Sequence, residues 1–431
     1  MKRNIQTKNL SKKMNDVFPA DLILVFKKIG EIADEKGVLV YIVGGFVRDF
    51  LIGRYNFDID IVIVGDAVDF ARNLEKNIGG QLKTYPRFKT AKIKLDNGLI
   101  IDIASARTES YAYYAALPVV ELSSLDKDLY RRDFTVNTLV ISLNKKTFGI
   151  LSDYFNGFQD LKEKRIRVLH DLSFLDDPTR ILRAVRFEQR LNFTIDSHTE
   201  NLISQAVNKN IFGKLSKMRI KAEFVLCLSE PDPVKVIRRI CELDQLDFMH
   251  HKIKFTENRQ LLFKSAGKAI GWYKANVPGQ TVQAWRVYLL VLLDGLSVND
   301  CNQFFHNFGF KKNEQDFILK IKKTGNRILR SLQSIKLENP SQIYEVLSDV
   351  SREECLFLMA KCTEKSSQEM FIKYLMKYVN IRLEISGDDL KQYNIMPGPN
   401  YKKILKKTLY AKLDGKLSTK EAELGFAKNN I

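Results

Sequence analysis

The chain has 431 residues, 45% of them hydrophobic, enough for more than one domain with its own core and too apolar for a disordered polymer. Its formal net charge of +18 favours a polyanionic partner, nucleic acid foremost, and says nothing about fold. No apolar run approaches the roughly 18–20 residues of a membrane span, and the N-terminus does not lead into the apolar core of a secretory signal.

The five cysteines are scattered, without a Cys-x-x-Cys pair, so they suggest neither a disulfide framework nor a zinc site, and a reducing, cytoplasmic compartment fits. His250 and His251 stand side by side, as in a surface turn. Residues 1–17 are polar and basic, the pattern of a mobile arm. Leu22, Ile23, Val25, Phe26, Ile29, Ile32 and Ala33 recur at helical spacing between Pro19 and Lys36, and Gly37 stops that helix. Strands are predicted over residues 38–43, 58–64, 90–95 and 99–104, with a helix over 67–79. A small mixed sheet with helices on one side is the natural packing.

Two features of this sheet carry chemistry. Gly44 and Gly45 follow the first strand and precede a helix start, where bare backbone and free N–H groups suit a phosphate. Asp58 and Asp60 are two apart in a β-rich run, so both carboxylates leave one face. Their repulsion calls for a hard divalent cation bound through oxygen. Asp102 is a single acid in an aliphatic strand; it stands either at the sheet's rim or beside the other two, because a buried unpaired carboxylate is costly.

Residues 105–128 form a long polar loop dotted with tyrosines, and a loop of that length in a compact domain is usually functional or disordered. Arg131-Arg132-Asp133 then leads into the apolar run 134–141. Read as a helix start, two arginines there oppose the macrodipole and need an anion such as a triphosphate. From Leu151 the pattern becomes helical. Arg180, Arg183 and Arg186 recur at i, i+3, i+6 after Pro178, sharing one broad face that needs either acids opposite or an anionic ligand. Residues 196–380 are helix-patterned without a catalytic signature. Residues 207–223 carry five basic residues against one acid, and residues 401–431 eight lysines against three acids, both suited to a phosphate backbone.

The wording Gly44-Gly45-Phe46-Val47-Arg48-Asp49, Phe57-Asp58-Ile59-Asp60, Arg131-Arg132-Asp133-Phe134-Thr135-Val136-Asn137 and Asp176-Asp177-Pro178-Thr179-Arg180 resembles the class II tRNA nucleotidyltransferase/poly(A) polymerase family, within the polymerase-β-like nucleotidyltransferases. The resemblance is strong over residues 38–190, weaker over 190–230, thin beyond, and returns at 385–428, where Ser386-Gly387-Asp388-Asp389-Leu390 and Pro397-Gly398-Pro399 are similar to the tails of long bacterial members. Val136 replaces the usual isoleucine, Asp176 the usual glutamate, and Tyr154 stands where proline is common.

The resemblance implies an α+β catalytic head followed by an all-α neck, body and tail. The expected divisions are an arm and first helix (1–35), the head (36–150), a nucleotide-binding neck (151–225), a body (226–330) and an RNA-binding tail (331–431). It implies template-independent addition of CCA, from CTP and ATP, to the 3′ end of tRNA. Asp58 and Asp60 would hold two Mg²⁺ ions, with Asp102 assisting. Gly44, Gly45, Arg48, Arg132, Arg183 and Arg186 are expected around the triphosphate, Asp133 holding an arginine and Asn137 at the sugar. Asp177 and Arg180 would read the base, the carboxylate accepting from the exocyclic amino group that cytosine and adenine share. In the family the region matching 105–128 affects which nucleotide is added. Addition of A only, of CC only, poly(A) tailing, and a non-catalytic RNA-binding protein remain alternatives.

Overall fold

A computed structural model describes residues 5–55, 58–110, 119–209, 211–243, 250–391 and 399–430. Outside them fall residues 1–4 of the expected arm, Asn56, Phe57 of the quoted motif, the tyrosine-bearing part of the long loop (111–118), and Pro397-Gly398 of the tail wording. The chain divides into two compact units, residues 1–223 and 224–431.

The first unit begins with β1 (Gln6–Asn9), α1 (Ser11–Val17) and α2 (Ala20–Glu35), followed by β2 (Leu39–Val43), α3 (Gly45–Leu51), β3 (Asp58–Val64) and α4 (Ala67–Ile78). Next come β4 (Gln81–Tyr85), β5 (Thr90–Lys94), β6 (Ile100–Ser105), the hairpin β7 (Arg107–Ser110) and β8 (Val119–Leu122), α5 (Leu125–Tyr130), β9 (Val140–Ser142) and β10 (Ile150–Asp153). The sheet runs β1-β10-β9-β2-β3-β6-β5-β4. Only β3 and β6 pair in parallel within it; its other pairings are antiparallel.

Alternation decides which face is which. Ile59, Ile61 and Ile63 of β3 and Ile101 and Ile103 of β6 are fully buried in one core with Phe26 and Ile29 of α2 and Phe70 and Leu74 of α4. Each such side chain contributes about 1.5–3 kcal/mol by leaving water. A slip of one residue in β3 would drive Asp58 and Asp60 into that core, so the register is fixed by the isoleucines and the acids are left on the opposite face.

Several expectations change. From Gln6 the expected arm is an edge strand paired with β10, and then a helix. The run 134–141 is a 3₁₀ turn, Thr135–Asn137, and then β9, which is buried at all three of its positions. A continuous apolar run looks alike in a buried strand and a buried helix, so periodicity could not separate them. Arg131 consequently follows the C-terminus of α5, where cations favour the macrodipole rather than oppose it.

The unit continues with α6 (Gly157–Lys162), β11 (Arg165–Ile166), α7 (Ser173–Asp176), α8 (Thr179–Leu191), β12 (Thr194–Ile195), α9 (Ser197–Asn208) and the start of α10 (Lys217–Ser229). The turn into α6 is held by buried Asp153, whose carboxylate accepts from the N–H groups of Phe155, Gly157 and Phe158. A Cβ on Gly157 would lie 2.3 Å from the Thr135 carbonyl oxygen, so only glycine permits that approach.

In the described residues of the second unit everything regular is helical: α11 (Pro233–Glu242), α12 (Glu257–Asn276), α13 (Ala284–Leu293), α14 (Val298–Phe308), α15 (Lys312–Gln333), α16 (Pro340–Leu347), α17 (Arg352–Lys361), α18 (Lys365–Met376), α19 (Gly387–Lys391), α20 (Pro399–Leu413) and α21 (Lys420–Lys428), with one 3₁₀ turn at Tyr378–Asn380. From Val287 to Leu293 α13 is buried on every side, and Phe224, Phe304, Phe308 and Phe310 stack into an aromatic core. No helix is long and apolar enough to cross a membrane among the described residues. His250 is buried against Asp300 rather than lying in a surface turn, with His251 stacked on it. Of the tail lysines, Lys406 pairs with Glu345 and Lys412 with Glu384 and Glu423, while Lys402, Lys403 and Lys407 are exposed.

Candidate active site

Asp58 and Asp60 leave β3 on the face away from the isoleucine core, and the parallel register sets Asp102 of β6 directly beside Asp60. Asp102 therefore stands with the other two acids, where its carboxylate is 2.9 Å from the Lys92 ammonium. Burial, with the neighbouring charges of Asp58 and Asp102, pushes the Asp60 carboxyl up to about 6 in spite of Arg132. Among the described residues no three carboxylate, imidazole or thiol groups converge as a ready-made metal cage. Asp60 is nonetheless largely buried beside two further carboxylates, Asp58 and Asp102, which offer hard oxygen donors, with Arg132 and Lys92 as only partial counter-charge. Asp58 and Asp60 thus fit a divalent cation such as Mg²⁺ held by part of its coordination shell, with water and substrate supplying the rest.

Gly44 connects this acid group to a second one. Its φ is +74°, and a Cβ there would come within 3.5 Å of Asp60 Oδ2 and 3.7 Å of Arg132 Nη1. Those distances are ordinary contacts, so it is the positive φ that calls for glycine here, at a point flanked by the carboxylate and the guanidinium. Beyond Arg132 opens a cavity of about 340 Å³ lined by Glu109, Arg131, Arg132, Asp133, Asp177, Arg180, Arg183 and Arg219.

Most of its cations are held in place by acids. Fully buried Asp128 bridges Arg131 at 2.6 Å and Arg132 at 2.9 Å, and Glu109 takes the other side of Arg131 at 2.7 Å. Asp133 accepts from Arg183 at 2.7 Å and from Asn137 at 2.9 Å, and Asn137 accepts from Arg48 at 2.8 Å. Burial opposes ionisation of Asp133, but the charge of Arg183 and the hydrogen bonds from Asn137 and Arg183 outweigh it and hold the carboxyl at about 2. Arg180 donates to Ser173 Oγ and to the Arg131 carbonyl oxygen. Asp177 accepts from the Thr179 N–H and hydroxyl, and its other oxygen lies 2.8 Å from Arg219.

The structure thus brings Arg132, Asp177, Arg180 and Arg183 to one cavity, and sets Gly44 between Arg132 and Asp60. Gly45 opens α3, and a Cβ there would lie 3.5 Å from Arg48 Nη2. Three expected ligands are not at the cavity. Arg48 is buried, paired with Asp49 and Asn137, and Arg186 is buried beside Glu223; together with Arg183 they surround the Phe187 ring at 5.1–5.5 Å. Asn137 is buried and links Arg48 to Asp133. The acids that the arginine stripe requires are present as Asp133 and Glu223.

The sequence pattern does not single out Arg219, Glu223, Glu109 or Asp128 as site residues, and it marks Arg131 only as one of an arginine pair. Residues 207–223 were expected as an RNA-contacting face, yet Arg219 turns to Asp177 and Glu223 to Arg183. The signal was the one acid of that segment, four residues after an arginine and therefore on the same face of α10.

Residues 40–167 match the poly A polymerase head domain family. Over 418 residues the chain is 39% identical to the A-adding tRNA nucleotidyltransferase of Geobacter sulfurreducens, an alignment covering 96% of this chain and 48% of that protein. The chain thus spans about half the length of that relative. It is 31% identical over 427 residues to the A-adding tRNA nucleotidyltransferase of Halalkalibacterium halodurans, covering 97% of this chain and 95% of the relative. The solved structure of the Thermotoga maritima CCA-adding enzyme complexed with tRNA matches with a TM-score of 0.73 and 33% identity, over 100% of this chain and 99% of that one. The chain belongs to the tRNA nucleotidyltransferase/poly(A) polymerase family.

Proposed function

We propose that the protein is a tRNA nucleotidyltransferase that transfers nucleoside monophosphates from CTP and ATP to the 3′ end of tRNA, completing CCA and releasing pyrophosphate. The observation that carries this reading is the contact through Gly44: a same-face acid pair, with Asp60 largely buried beside further carboxylates, lies against an arginine-lined cavity of about 340 Å³. Asp58 and Asp60 would hold Mg²⁺, which when bound supplies Lewis-acid activation of a 3′-hydroxyl and neutralisation of the departing pyrophosphate.

The chain's own residues supply position and charge. Arg132 and Arg183 face the phosphates from fixed geometry, because Asp128 and Asp133 hold their guanidiniums before any nucleotide arrives. Asp177 and Arg180 read the base, a carboxylate for the exocyclic amino group and a donor for the ring acceptor beside it. The positive surplus of the chain gives affinity for RNA through phosphates rather than sequence.

A second reading, addition of the terminal A alone, is favoured by the names of the Geobacter and Halalkalibacterium relatives. Incubation with tRNAs ending at the discriminator base, at -C and at -CC, each with labelled CTP or ATP, separates the two. Growth of all three to CCA supports the first. Extension of the -CC tRNA alone, and only with ATP, establishes the second, and no incorporation with any of them would overturn both.

A further inference from the structure

On the open face of the sheet the carboxylates belong to a longer row. Register pairs Asp60 with Asp102, Asp102 with Lys92, and Lys92 with Lys83, across β3, β6, β5 and β4 in turn. Directly opposed residues leave the same face, so two acids and two lysines stand in line. Lys94 lies in the same flanking row as Asp58, with Ile100 between them, and Tyr85 opposite Thr90 lies in the row on the other side.

Lys92 is partly neutralised by Asp102 at 2.9 Å. Lys83 and Lys94 are exposed and have no ion-pair partner among the described residues, Lys83 lying 5.3 Å from the exposed Tyr85 ring. Opposed like charges such as Lys83 and Lys92 cost stability unless an anion lies between them. Edge protection explains a lysine on β4, the outermost strand. It does not explain Lys92 and Lys94 on the strand inside it.

The position of this strip gives it a role. In the sheet β3 lies between β2 and β6. The arginine cavity reaches Asp60 from the β2 flank, through Gly44 and Arg132. The lysines lie on the other flank, Lys83 three strand spacings from Asp60, about 14 Å at about 4.8 Å per strand. Nucleotide addition brings two substrates to the acids from opposite sides, a triphosphate and a 3′-hydroxyl.

We propose that Lys83, Lys92 and Lys94, with Tyr85 as a stacking surface, grip the single-stranded 3′-terminal nucleotides of the RNA that is extended. This rests on the nucleotidyltransferase reading given above. The lysines take the last phosphates, and the Tyr85 ring takes a base face, which is sequence-tolerant because every base has one.

The test is steady-state extension of a tRNA ending in -CC by the full chain, with KM for RNA and for ATP measured separately. In Lys83→Ala and Lys94→Ala the KM for RNA rises several-fold while that for ATP does not move. The dependence of log K for RNA on log salt flattens by about one in each variant. Tyr85→Ala raises the KM for RNA and Tyr85→Phe restores it. Neutral methylphosphonate linkages at the RNA 3′ end weaken binding to the wild type and add little to the defect of Lys83→Ala. If the wild type extends RNA while Lys83→Ala and Lys94→Ala keep its KM and salt slope, the grip is wrong. If the wild type extends no RNA, the underlying activity falls first and the grip with it.

Discussion

The acid row and the arginine cavity meet at Gly44 but are charged in opposite ways. Asp60 is largely buried, with Asp58 and Asp102 as neighbours, so its carboxyl is pushed up to about 6 although Arg132 and Lys92 oppose the shift. Four of the five cavity arginines are instead compensated by acids: Arg131 and Arg132 by Asp128, Arg183 by Asp133 and Glu223, and Arg219 by Asp177, while Arg180 is held by neutral oxygens of Ser173 and Arg131. The first arrangement stores a demand for a cation. The second stores geometry, with fork-shaped guanidiniums fixed in advance at the cost of weakened net attraction for an anion. On the function proposed above, chemistry would fall to the first, and selection and orientation to the second.

The largest effect should come from breaking the first arrangement. Asp60→Ala is expected to lower nucleotide incorporation by about 10³-fold, the upper range for deleting one preorganised charge-stabilising group. RNA affinity by filter binding should change little. Normal turnover in this variant would remove Asp60 from the chemistry.

Breaking the second should act on stability before chemistry. Asp133→Ala leaves Arg183 with Glu223 alone and takes a partner from Asn137, which should cost about 3 kcal/mol in urea unfolding. An unchanged unfolding midpoint would mean that the network does not hold the cavity together.

The comparison sharpens through pH. Asp60 titrates near 6 when folded against a model value of 3.8, so between these values the folded state binds more protons than the unfolded one. Stability of the metal-free protein therefore falls as pH rises from about 4 to 6 and stays reduced above, by about 2 kcal/mol after allowance for partial exposure. Asp60→Asn should remove this loss, leaving the variant more stable than wild type at neutral pH in chelator and equal to it near pH 4. A wild-type profile that is flat across this interval would contradict the crowded-carboxylate picture.

The smallest effect concerns base choice. Asp177→Ala should narrow the preference for ATP or CTP over GTP or UTP by about 1 kcal/mol, the low end for one base contact, because Thr179 and Arg219 already share the carboxylate. Arg180→Ala should slow all four nucleotides alike. Steady-state kinetics with each triphosphate checks both, and undiminished selectivity in Asp177→Ala would move base reading elsewhere.

Short-range pattern made much of this legible. Alternation of isoleucine and aspartate in β3 determines both the core face and the same-face acids, and a glycine pair after a strand determines the turn beside them. The arginines were visible as a stripe, but their partners were not. Asp133 lies 50 positions from Arg183 and Glu223 another 40 beyond it. Arg48 and Arg186 fit a phosphate-binding pattern by residue type, but their burial around Phe187 was not visible in the sequence.

By itself the sequence determined the α+β head and helical remainder, the β3 acid pair, the turn at Gly44 and the surplus of positive charge, because periods of two and 3.6 and the special freedom of glycine act within a few residues. The family wording brought Asp177, Arg180 and Arg183 into view as a group. Only the tertiary structure decided that Asp102 and Lys92 share a row with Asp60, that the run after Asp133 is a strand, and which arginines face the cavity. Those outcomes depend on strand register and on ion pairs between residues distant in the chain, where the competition between burial and charge is settled by neighbours that no local window contains.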